Sequence, residues 1–212
     1  MSFDVICFDC DSTLSKIEGI DELARRVGLG DAMSKLTNAA MNGEVPLEAV
    51  YEQRLSLIRP DKASIAWLAD EYIEQIVDGV KVVFETLLGQ GRDVHIISGG
   101  LRQAILPLAR VLGVPEARVH AVDVYFNADG SYQDYDQHSP LARSGGKAVI
   151  VGKLNTTGSL VMVGDGKTDM EAKQAGAVVI GFGGVVDRAL VREQADFYCV
   201  EPSLTAVLAH IL

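Results

Sequence analysis

A short apolar run that ends in two acidic residues is the feature that most constrains the fold of this chain. The run Val5–Phe8 has no polar face, which is typical of a parallel strand buried on both sides. Asp9 and Asp11 follow directly, with one residue between them. The carboxyl ends of such strands face the ligand crevice of an open α/β sheet. Because neighbouring carboxylates there repel each other and lose solvation, we expect a bound hard cation, with Mg²⁺ as the usual choice.

Further apolar runs alternate with amphipathic stretches along the rest of the chain. This alternation predicts βαβ units and therefore an α/β fold with a doubly wound parallel sheet. One hairpin is also predicted, with strands at residues 122–126 and 132–135 around a turn that contains Gly130. The predicted strands after Val5–Phe8 are residues 94–98, 160–164, 178–182 and 197–200, and the helices lie near residues 81–88, 101–112, 147–154, 169–175 and 187–193.

A helical insertion interrupts this alternation immediately after the acidic strand. Residues 17–74 show several helical patterns in succession, with Pro46 opening one helix and Asp61 capping another. We therefore expect a catalytic α/β core from residues 1–15 plus 76–212, and a helical cap domain from residues 16–75. Such a cap would cover the site and exclude water from it. The alternative is a helical subdomain remote from the site, which the position of the insertion disfavours.

Composition excludes several classes of function. The chain has 212 residues and 48% hydrophobic residues, enough for one sizeable core. Its formal net charge of −10 argues against nucleic acid and against anionic membranes as partners. No secretory leader or long apolar segment is evident, so we expect a cytoplasmic protein. Nothing in the sequence predicts an oligomeric state.

The three cysteines fit neither a redox pair nor a zinc site, and we interpret them as small buried side chains.

Polar residues at the ends of the predicted strands together suit phosphoryl transfer. Asp9 can act as the nucleophile that forms an aspartyl-phosphate, and Asp11 as the general acid and then the base. A Mg²⁺ ion held by Asp9 and Asp165 would neutralise charge between the nucleophile and the phosphate.

Phosphate oxygens need hydrogen-bond donors and a positive charge close by. Because the chain as a whole is acidic, that positive charge must come from an individual side chain. The hydroxyl of Ser98 and the backbone amides of Gly99 and Gly100 can donate to those oxygens, and glycines permit a close approach. Lys147 supplies the positive charge. Taken singly, each of these residues has an ordinary structural explanation, as a turn, a helix cap or an exposed lysine.

The order of these motifs resembles a known superfamily. D-x-D-x-T at Asp9, Ser-Gly-Gly at Ser98, Lys147 and G-D-G-x-T-D at Gly164 resemble the haloacid dehalogenase-like hydrolases. Within that superfamily the chain is most similar to the phosphoserine phosphatase family. The similar stretches cover nearly the whole chain, at residues 9–24, 40–43, 54–58, 98–100, 125–127, 144–147, 164–172 and 181–184.

This resemblance implies a Rossmann-like hydrolase core, an inserted cap and a specific activity. It implies a Mg²⁺-dependent phosphoric monoester hydrolase that converts O-phospho-L-serine to L-serine and phosphate in serine biosynthesis. Asp9 would be the nucleophile and Asp11 the acid and base, and the metal would bind Asp9, Asp165 and the backbone carbonyl of Asp11. The implied substrate-binding residues are Glu18 for the ammonium group, Arg54 for the carboxylate, Met41 and Gly43 as pocket walls, and Ser98, Gly99, Gly100, Lys147 and Thr168 around the phosphate.

Two other readings stay open at this level. One is a phosphatase or phosphotransferase of the same superfamily that acts on a different small phosphomonoester. The other is a phospho-accepting signalling domain, which also places aspartates, Mg²⁺ and a late lysine at strand ends. Such a domain has no cap and no acid equivalent to Asp11.

Overall fold

A six-stranded parallel sheet forms the centre of the computed structural model, which describes residues 3–156 and 159–212. The strands are β1 (Val5–Phe8), β2 (Asp93–Leu101), β3 (Val119–Val122), β6 (Leu160–Gly164), β7 (Val178–Phe182) and β8 (Phe197–Cys199), in the spatial order β3-β2-β1-β6-β7-β8. All five pairings are parallel. The order reverses at β1, so β1 lies at the switch point where α/β sheets bind ligands.

Burial explains why the central strands are almost purely apolar. Ile6, Cys7 and Phe8 of β1 are fully buried, and every residue of β6 is buried. Helices cover both faces of the sheet, so neither strand can keep a polar face. The helices of the core outside the insertion are α5 (Val80–Gly89), α6 (Arg102–Val111), α7 (Gly146–Leu154), α8 (Lys167–Met170), α9 (Ala189–Gln194) and α10 (Leu208–Ile211). The predicted doubly wound α/β fold is confirmed.

Several predicted boundaries differ from the structure. The predicted hairpin strand at residues 122–126 is divided between two sheets: Val122 belongs to β3, and β4 (Val124–Phe126) pairs antiparallel with β5 (Tyr132–Tyr135). The chain changes direction at Asp123, because the side-chain amide of Gln103 binds both Asp123 Oδ1 and the backbone of Val124. Val122 and Val124 flank Asp123 as in a continuous strand, so the local sequence does not reveal the change from one sheet to the other.

Smaller corrections concern where elements begin and end. The second strand continues past Ser98 to Leu101, with an irregular register against β3 over that stretch. The helix predicted over residues 169–175 begins at Lys167 and becomes a 3₁₀ helix over Glu171–Ala175. The helix predicted over residues 187–193 is shifted to Ala189–Gln194, and Val200 lies outside β8. End residues are the least determined by local patterns, because tertiary contacts select among similar backbone states.

Of the five helices between β1 and β2 in sequence, the first four sit over the carboxyl ends of the strands. They are α1 (Gly19–Arg26), α2 (Gly30–Met41), α3 (Leu47–Ile58) and α4 (Lys62–Glu74). Asp61 caps α4 as predicted, accepting a hydrogen bond from the Ser64 amide. Tyr51 on α3 donates to the carbonyl of Gly99 at 2.9 Å, and the Leu47 amide donates to Ser144 Oγ. These contacts place the inserted helices directly on the strand ends, and the exact division at residues 16 and 75 stays a prediction.

The hairpin of β4 and β5 supports the inserted helices from the other side. The amide of Lys62 donates to the carbonyl of Gly130 at its turn, and the rings of Tyr51 and Tyr135 are 5.2 Å apart. Within the described residues, no helix is long and apolar enough to cross a membrane. The cysteines are buried and unpaired, and burial raises the pKa of each thiol.

Candidate active site

The first two acidic groups meet because their strands are neighbours. β1 and β6 pair in register, Phe8 beside Val163, so Asp9 and Asp165 emerge at the same edge of the sheet. The Asp9 amide donates to the Val163 carbonyl at 2.9 Å, which continues the strand pairing to the nucleophile position. Asp9 is 6% and Asp165 2% exposed. The parallel pairing of β1 with β6 thus brings the two carboxylates together.

Lys147 joins Asp9 to a third aspartate. Its Nζ lies 2.8 Å from Asp9 Oδ1 and 2.6 Å from Asp169 Oδ1. Burial by itself lowers the pKa of Lys147, but the carboxylates of Asp169 and Asp9 outweigh it and raise the pKa. Asp169 also accepts from the Gly166 amide, and a Cβ on Gly164 would come within 2.1 Å of the Asp169 carboxyl carbon. Lys147 is therefore held charged beside the nucleophile position.

Asp169 is the last residue of the G-D-G-x-T-D motif, but no individual role in the site was predicted for it from the sequence. Its signal was the short connection from Asp165, which directly follows β6, to Asp169 in the first turn of α8, which keeps both residues near the same strand end. Its carboxylate binds Lys147 rather than solvent, and it is fully buried.

A divalent metal fits this acidic cluster. Asp9, Asp165 and Asp169 each offer a carboxylate oxygen, and these atoms lie within 4.8 Å of one another. Burial raises the pKa of Asp165 to about 8 and that of Asp169 to about 7, with the charge of Asp9 adding to both shifts. Burial without a compensating cation is thus unfavourable for the ionised cluster. An all-oxygen donor set of this kind matches a hard cation such as Mg²⁺.

The balance of charged residues around the whole pocket also favours a bound cation. Four carboxylates and three cations line the pocket, and just outside the lining Asp169 contacts Lys147 and Arg188 contacts Asp165. The lining residues that carry charge are Asp9, Asp11, Glu18 and Asp165 against Arg54, Arg143 and Lys147.

Asp11 is held by donors from three segments. The amide of Gly19 and the hydroxyl of Tyr72 donate to its Oδ1 at 2.6 and 2.7 Å, and Ser98 Oγ lies 3.2 Å from its Oδ2. Burial raises the pKa of Asp11, and the negative charge of Asp9 raises it further. A carboxyl group with a raised pKa can carry a proton nearer to neutral pH, as a general acid must.

The Ser-Gly-Gly segment at the end of β2 lies beside Asp11. The Gly100 amide donates to Ser98 Oγ at 2.9 Å, and Ser98 is fully buried. A Cβ on Gly100 would come within 3.0 Å of Asp11 Oδ2, so a glycine keeps this approach open. Gly99 and Thr168 line the same pocket. The residues predicted to surround the phosphate are thus adjacent, and their roles stay predictions.

The inserted helices contribute the remaining polar groups. Glu18 accepts from Ser12 Oγ at 2.7 Å, and burial and the charges of Asp11 and Asp165 raise its pKa well above the usual range. Arg54 is 4% exposed, and its Nη1 donates to Thr37 Oγ1 at 3.1 Å. Its Nε is buried without a hydrogen-bond partner, and burial lowers its pKa. A buried guanidinium with a free N–H in a pocket is suited to an anion.

The other two predicted pocket residues have different positions. Met41 lines the pocket, whereas Gly43 lies outside its lining, with the side chain of Lys167 beside it. Gly43 has a φ of 76° at the end of α2, a left-handed conformation that favours glycine. The structure therefore gives Gly43 a helix-terminating position at the rim.

Arg188 is a further buried cation that the sequence did not indicate. Its Nε lies 3.2 Å from Asp165 Oδ2, and its Nη1 donates to the side-chain oxygens of Asn38 and Asn42 on the inserted helices. Its Nη2 lies 3.9 Å from Glu18. Arg188 thus links the candidate metal ligand Asp165 to the inserted helices. It lies in a loop outside any recognised motif, so the sequence offered no signal for this role.

Sequence comparisons place the chain among known proteins. Residues 3–176 match the family model described as haloacid dehalogenase-like hydrolase. A phosphoserine phosphatase from Bos taurus is 39% identical over 203 residues, covering 94% of this chain and 90% of that protein. The phosphoserine phosphatase of Homo sapiens is 37% identical over the same shares, and a chloroplastic one from Arabidopsis thaliana is 38% identical, covering 92% of this chain and 68% of its own length.

Solved structures give the same neighbours. A phosphoserine phosphohydrolase-like protein from Francisella tularensis superposes with a TM-score of 0.88 at 27% identity, with both chains covered completely. A substrate-bound phosphoserine phosphatase complex has a TM-score of 0.85 at 25% identity, again with both chains covered completely. A phosphoserine phosphatase solved as a phospho-aspartyl intermediate analogue has a TM-score of 0.82 at 25% identity, with the same coverage.

Proposed function

The chain belongs to the phosphoserine phosphatases of the haloacid dehalogenase-like hydrolase family, and from this premise we propose that it hydrolyses O-phospho-L-serine to L-serine and phosphate. One observation carries the proposal: a single pocket joins Asp9 and Asp11 of the core to Glu18 and Arg54 of the inserted helices. The core pair supplies the chemistry of a phosphomonoesterase. The other pair supplies one anion and one cation, which a zwitterionic amino acid requires at fixed separation.

The first half-reaction transfers the phosphoryl group to Asp9. A carboxylate oxygen of Asp9 attacks phosphorus, and the bond between phosphorus and the serine oxygen breaks. Asp11 gives its proton to that departing oxygen, so serine leaves as the neutral alcohol. The raised pKa of Asp11 supports this role, because burial and the charge of Asp9 favour the protonated form.

The second half-reaction restores the enzyme. Asp11, now ionised, accepts a proton from water as the water oxygen attacks phosphorus. The bond between phosphorus and the Asp9 oxygen breaks, and inorganic phosphate is released. Lys147, 2.8 Å from Asp9 Oδ1, holds that carboxylate in place and offsets negative charge in both steps.

The phosphate and the metal occupy the strand ends in this proposal. Ser98 and the amides of Gly99 and Gly100 donate to the phosphate oxygens, with Lys147 and Thr168 beside them. Mg²⁺ would be held by Asp9, Asp165 and the backbone carbonyl of Asp11. Such an ion supplies charge neutralisation and fixes the orientation of the reacting groups. The buried acidic cluster with its raised pKa values supports this assignment.

Recognition of the amino acid rests on the inserted helices. Arg54 binds the substrate carboxylate through its unpartnered Nε and its remaining N–H groups, and Glu18 binds the ammonium group. Met41 lines the pocket between them. The protein would act in the cytosol and catalyse the last step of phosphorylated serine synthesis. Its partner would be the small-molecule substrate, with no nucleic acid or membrane involved.

A substrate panel tests this function. Phosphate release with Mg²⁺ is measured for phospho-L-serine, phospho-D-serine, phosphothreonine, phosphoethanolamine and p-nitrophenyl phosphate. We expect kcat/KM for phospho-L-serine to exceed the others by at least about tenfold, or about 1.4 kcal/mol of differential transition-state binding. A flat profile would leave the phosphatase mechanism in place and contradict the assigned substrate.

A further inference from the structure

We propose that Tyr72, a residue of the cap helix α4, is a positioning residue that orients Asp11 for proton donation. Its hydroxyl donates to Asp11 Oδ1 at 2.7 Å, and the whole side chain is fully buried. The inference rests on the proposed function, in which Asp11 is the general acid. Neither the motifs of the core nor the recognition residues of the cap include Tyr72.

The two carboxylate oxygens of Asp11 have different hydrogen-bond partners. Oδ1 accepts two hydrogen bonds, from Tyr72 and from the Gly19 amide, and both donors hold protons of their own. A proton on Oδ1 would face these donors, whereas Oδ2 faces the Ser98 hydroxyl, which can accept as well as donate, so the acidic proton belongs on Oδ2. The fully buried phenol of Tyr72 is the donor in its hydrogen bond to Oδ1.

Oδ2 is the oxygen that faces the reaction. It lies 3.2 Å from Ser98 Oγ, at the Ser-Gly-Gly segment that we propose binds the phosphate. By fixing Oδ1, Tyr72 and Gly19 aim the proton on Oδ2 at the ester oxygen that leaves phosphorus. The proton moves from Oδ2 to that oxygen as the phosphorus–oxygen bond breaks, and Asp11 is left as a carboxylate.

Gly19 shows how closely Tyr72 is fitted to this position. A Cβ on Gly19 would lie 2.0 Å from the Tyr72 hydroxyl oxygen and 3.3 Å from Asp11 Oδ1. Gly19 begins α1 and Tyr72 lies on α4, so both Oδ1 donors come from the inserted helices. Asp11 therefore has its aligned geometry only while these helices sit on the strand ends.

The experiment uses leaving groups of different acidity. Release of the alcohol is complete in the first half-reaction, which kcat/KM reports. Phenoxide is a poor leaving group that needs a proton, since the pKa of a phenol is about 10, whereas nitrophenoxide is a good one. The full-length protein and its Tyr72→Phe variant are compared on phenyl phosphate, p-nitrophenyl phosphate and phospho-L-serine.

We expect a selective loss. General acid catalysis is worth about 10²–10⁴, so losing the alignment should lower kcat/KM about tenfold on phenyl phosphate and about twofold or less on p-nitrophenyl phosphate. Equal losses on the two aryl esters would overturn the proposal, because a purely structural role for Tyr72 predicts that result. No loss on either ester would overturn it as well.

Two further variants keep the test decisive. Tyr51→Phe removes one hydroxyl from another bond between cap and core, that to the Gly99 carbonyl, and should change both aryl esters by the same factor. Gly19→Ala crowds the Tyr72 hydroxyl without removing it and tests the two Oδ1 donors together, because Gly19 is the other donor; it should reproduce the selective loss even if Tyr72→Phe fails to fold. If the unmodified protein releases no phosphate from phospho-L-serine, the proposed function fails, while the aryl pair still tests Tyr72.

Discussion

Removing the charge of Arg54 should separate recognition of the amino acid from the chemistry of the phosphate. The side chain is 4% exposed, and the one hydrogen bond that the guanidinium makes within the described part of the chain is to the neutral hydroxyl of Thr37. Within the described residues its Nε has no hydrogen-bond partner, and its guanidinium carbon lies 5.7 Å from the centroid of the Tyr51 ring. A buried cation in this state is costly, and a substrate carboxylate would offset that cost.

The size of the effect follows from this burial. Truncating one partner of a buried charged pair costs about 2–5 kcal/mol. Taking about 3 kcal/mol, Arg54→Ala should lower kcat/KM for phospho-L-serine on the order of 100-fold, since about 1.4 kcal/mol corresponds to each factor of ten. Arg54→Lys should recover only part of the loss, because an ammonium group cannot bind a carboxylate through two parallel hydrogen bonds.

Deleting the carboxylate from the substrate completes the test. Phosphoethanolamine and p-nitrophenyl phosphate carry no carboxylate, so Arg54→Ala should change their kcat/KM by less than about threefold, as expected when the coupling partner is missing. Arg26→Ala is a matched control, since Arg26 is an exposed cap arginine that stacks over the ring of Trp67 away from the pocket. Comparable losses on all three substrates would refute the assignment of Arg54 to the substrate carboxylate.

Three other expectations can be checked with simple assays. Asp9→Asn should reduce turnover at least about 100-fold with an unchanged circular dichroism spectrum, and residual activity above about one percent would contradict the nucleophile role. In the presence of a chelator, folding should favour the protonated form of Asp165, whose pKa is about 8 when folded and about 3.9 when unfolded, so its contribution to stability is lost as pH rises between those values. Because protons then compete with the metal, Mg²⁺ should raise the melting temperature more at pH 8 than at pH 6, and equal increments would argue against binding at Asp165. Asp61→Ala removes the cap of α4 and should lower the free energy of unfolding by about 1 kcal/mol in a urea titration; a change near zero would mean that the hydrogen bond to Ser64 contributes little.

Local patterns were sufficient for the parts of the fold that are set by neighbouring residues. The apolar strands at Val5–Phe8 and Leu160–Gly164 could be read from the sequence, because a strand buried on both faces has no polar side chains. These patterns placed Asp9 and Asp165 directly after strands, and the pairing of β1 with β6 in the structure brings them to the same edge. By contrast, the change of sheet at Asp123 depends on Gln103, a contact between segments that no short pattern records.

The sequence by itself determined the chemistry of the strand ends, and the tertiary structure decided the partners of those groups. Residue type and order identified Asp9, Asp11, Ser98 and Lys147 as a candidate phosphoryl-transfer set. Only the fold shows that Lys147 also binds Asp169, that Arg188 reaches Asp165, that Tyr72 holds Asp11 and that Gly43 lies at the rim. A pairing between distant segments depends on how helices pack against the sheet, and that packing is a property of the whole core rather than of any single stretch of sequence.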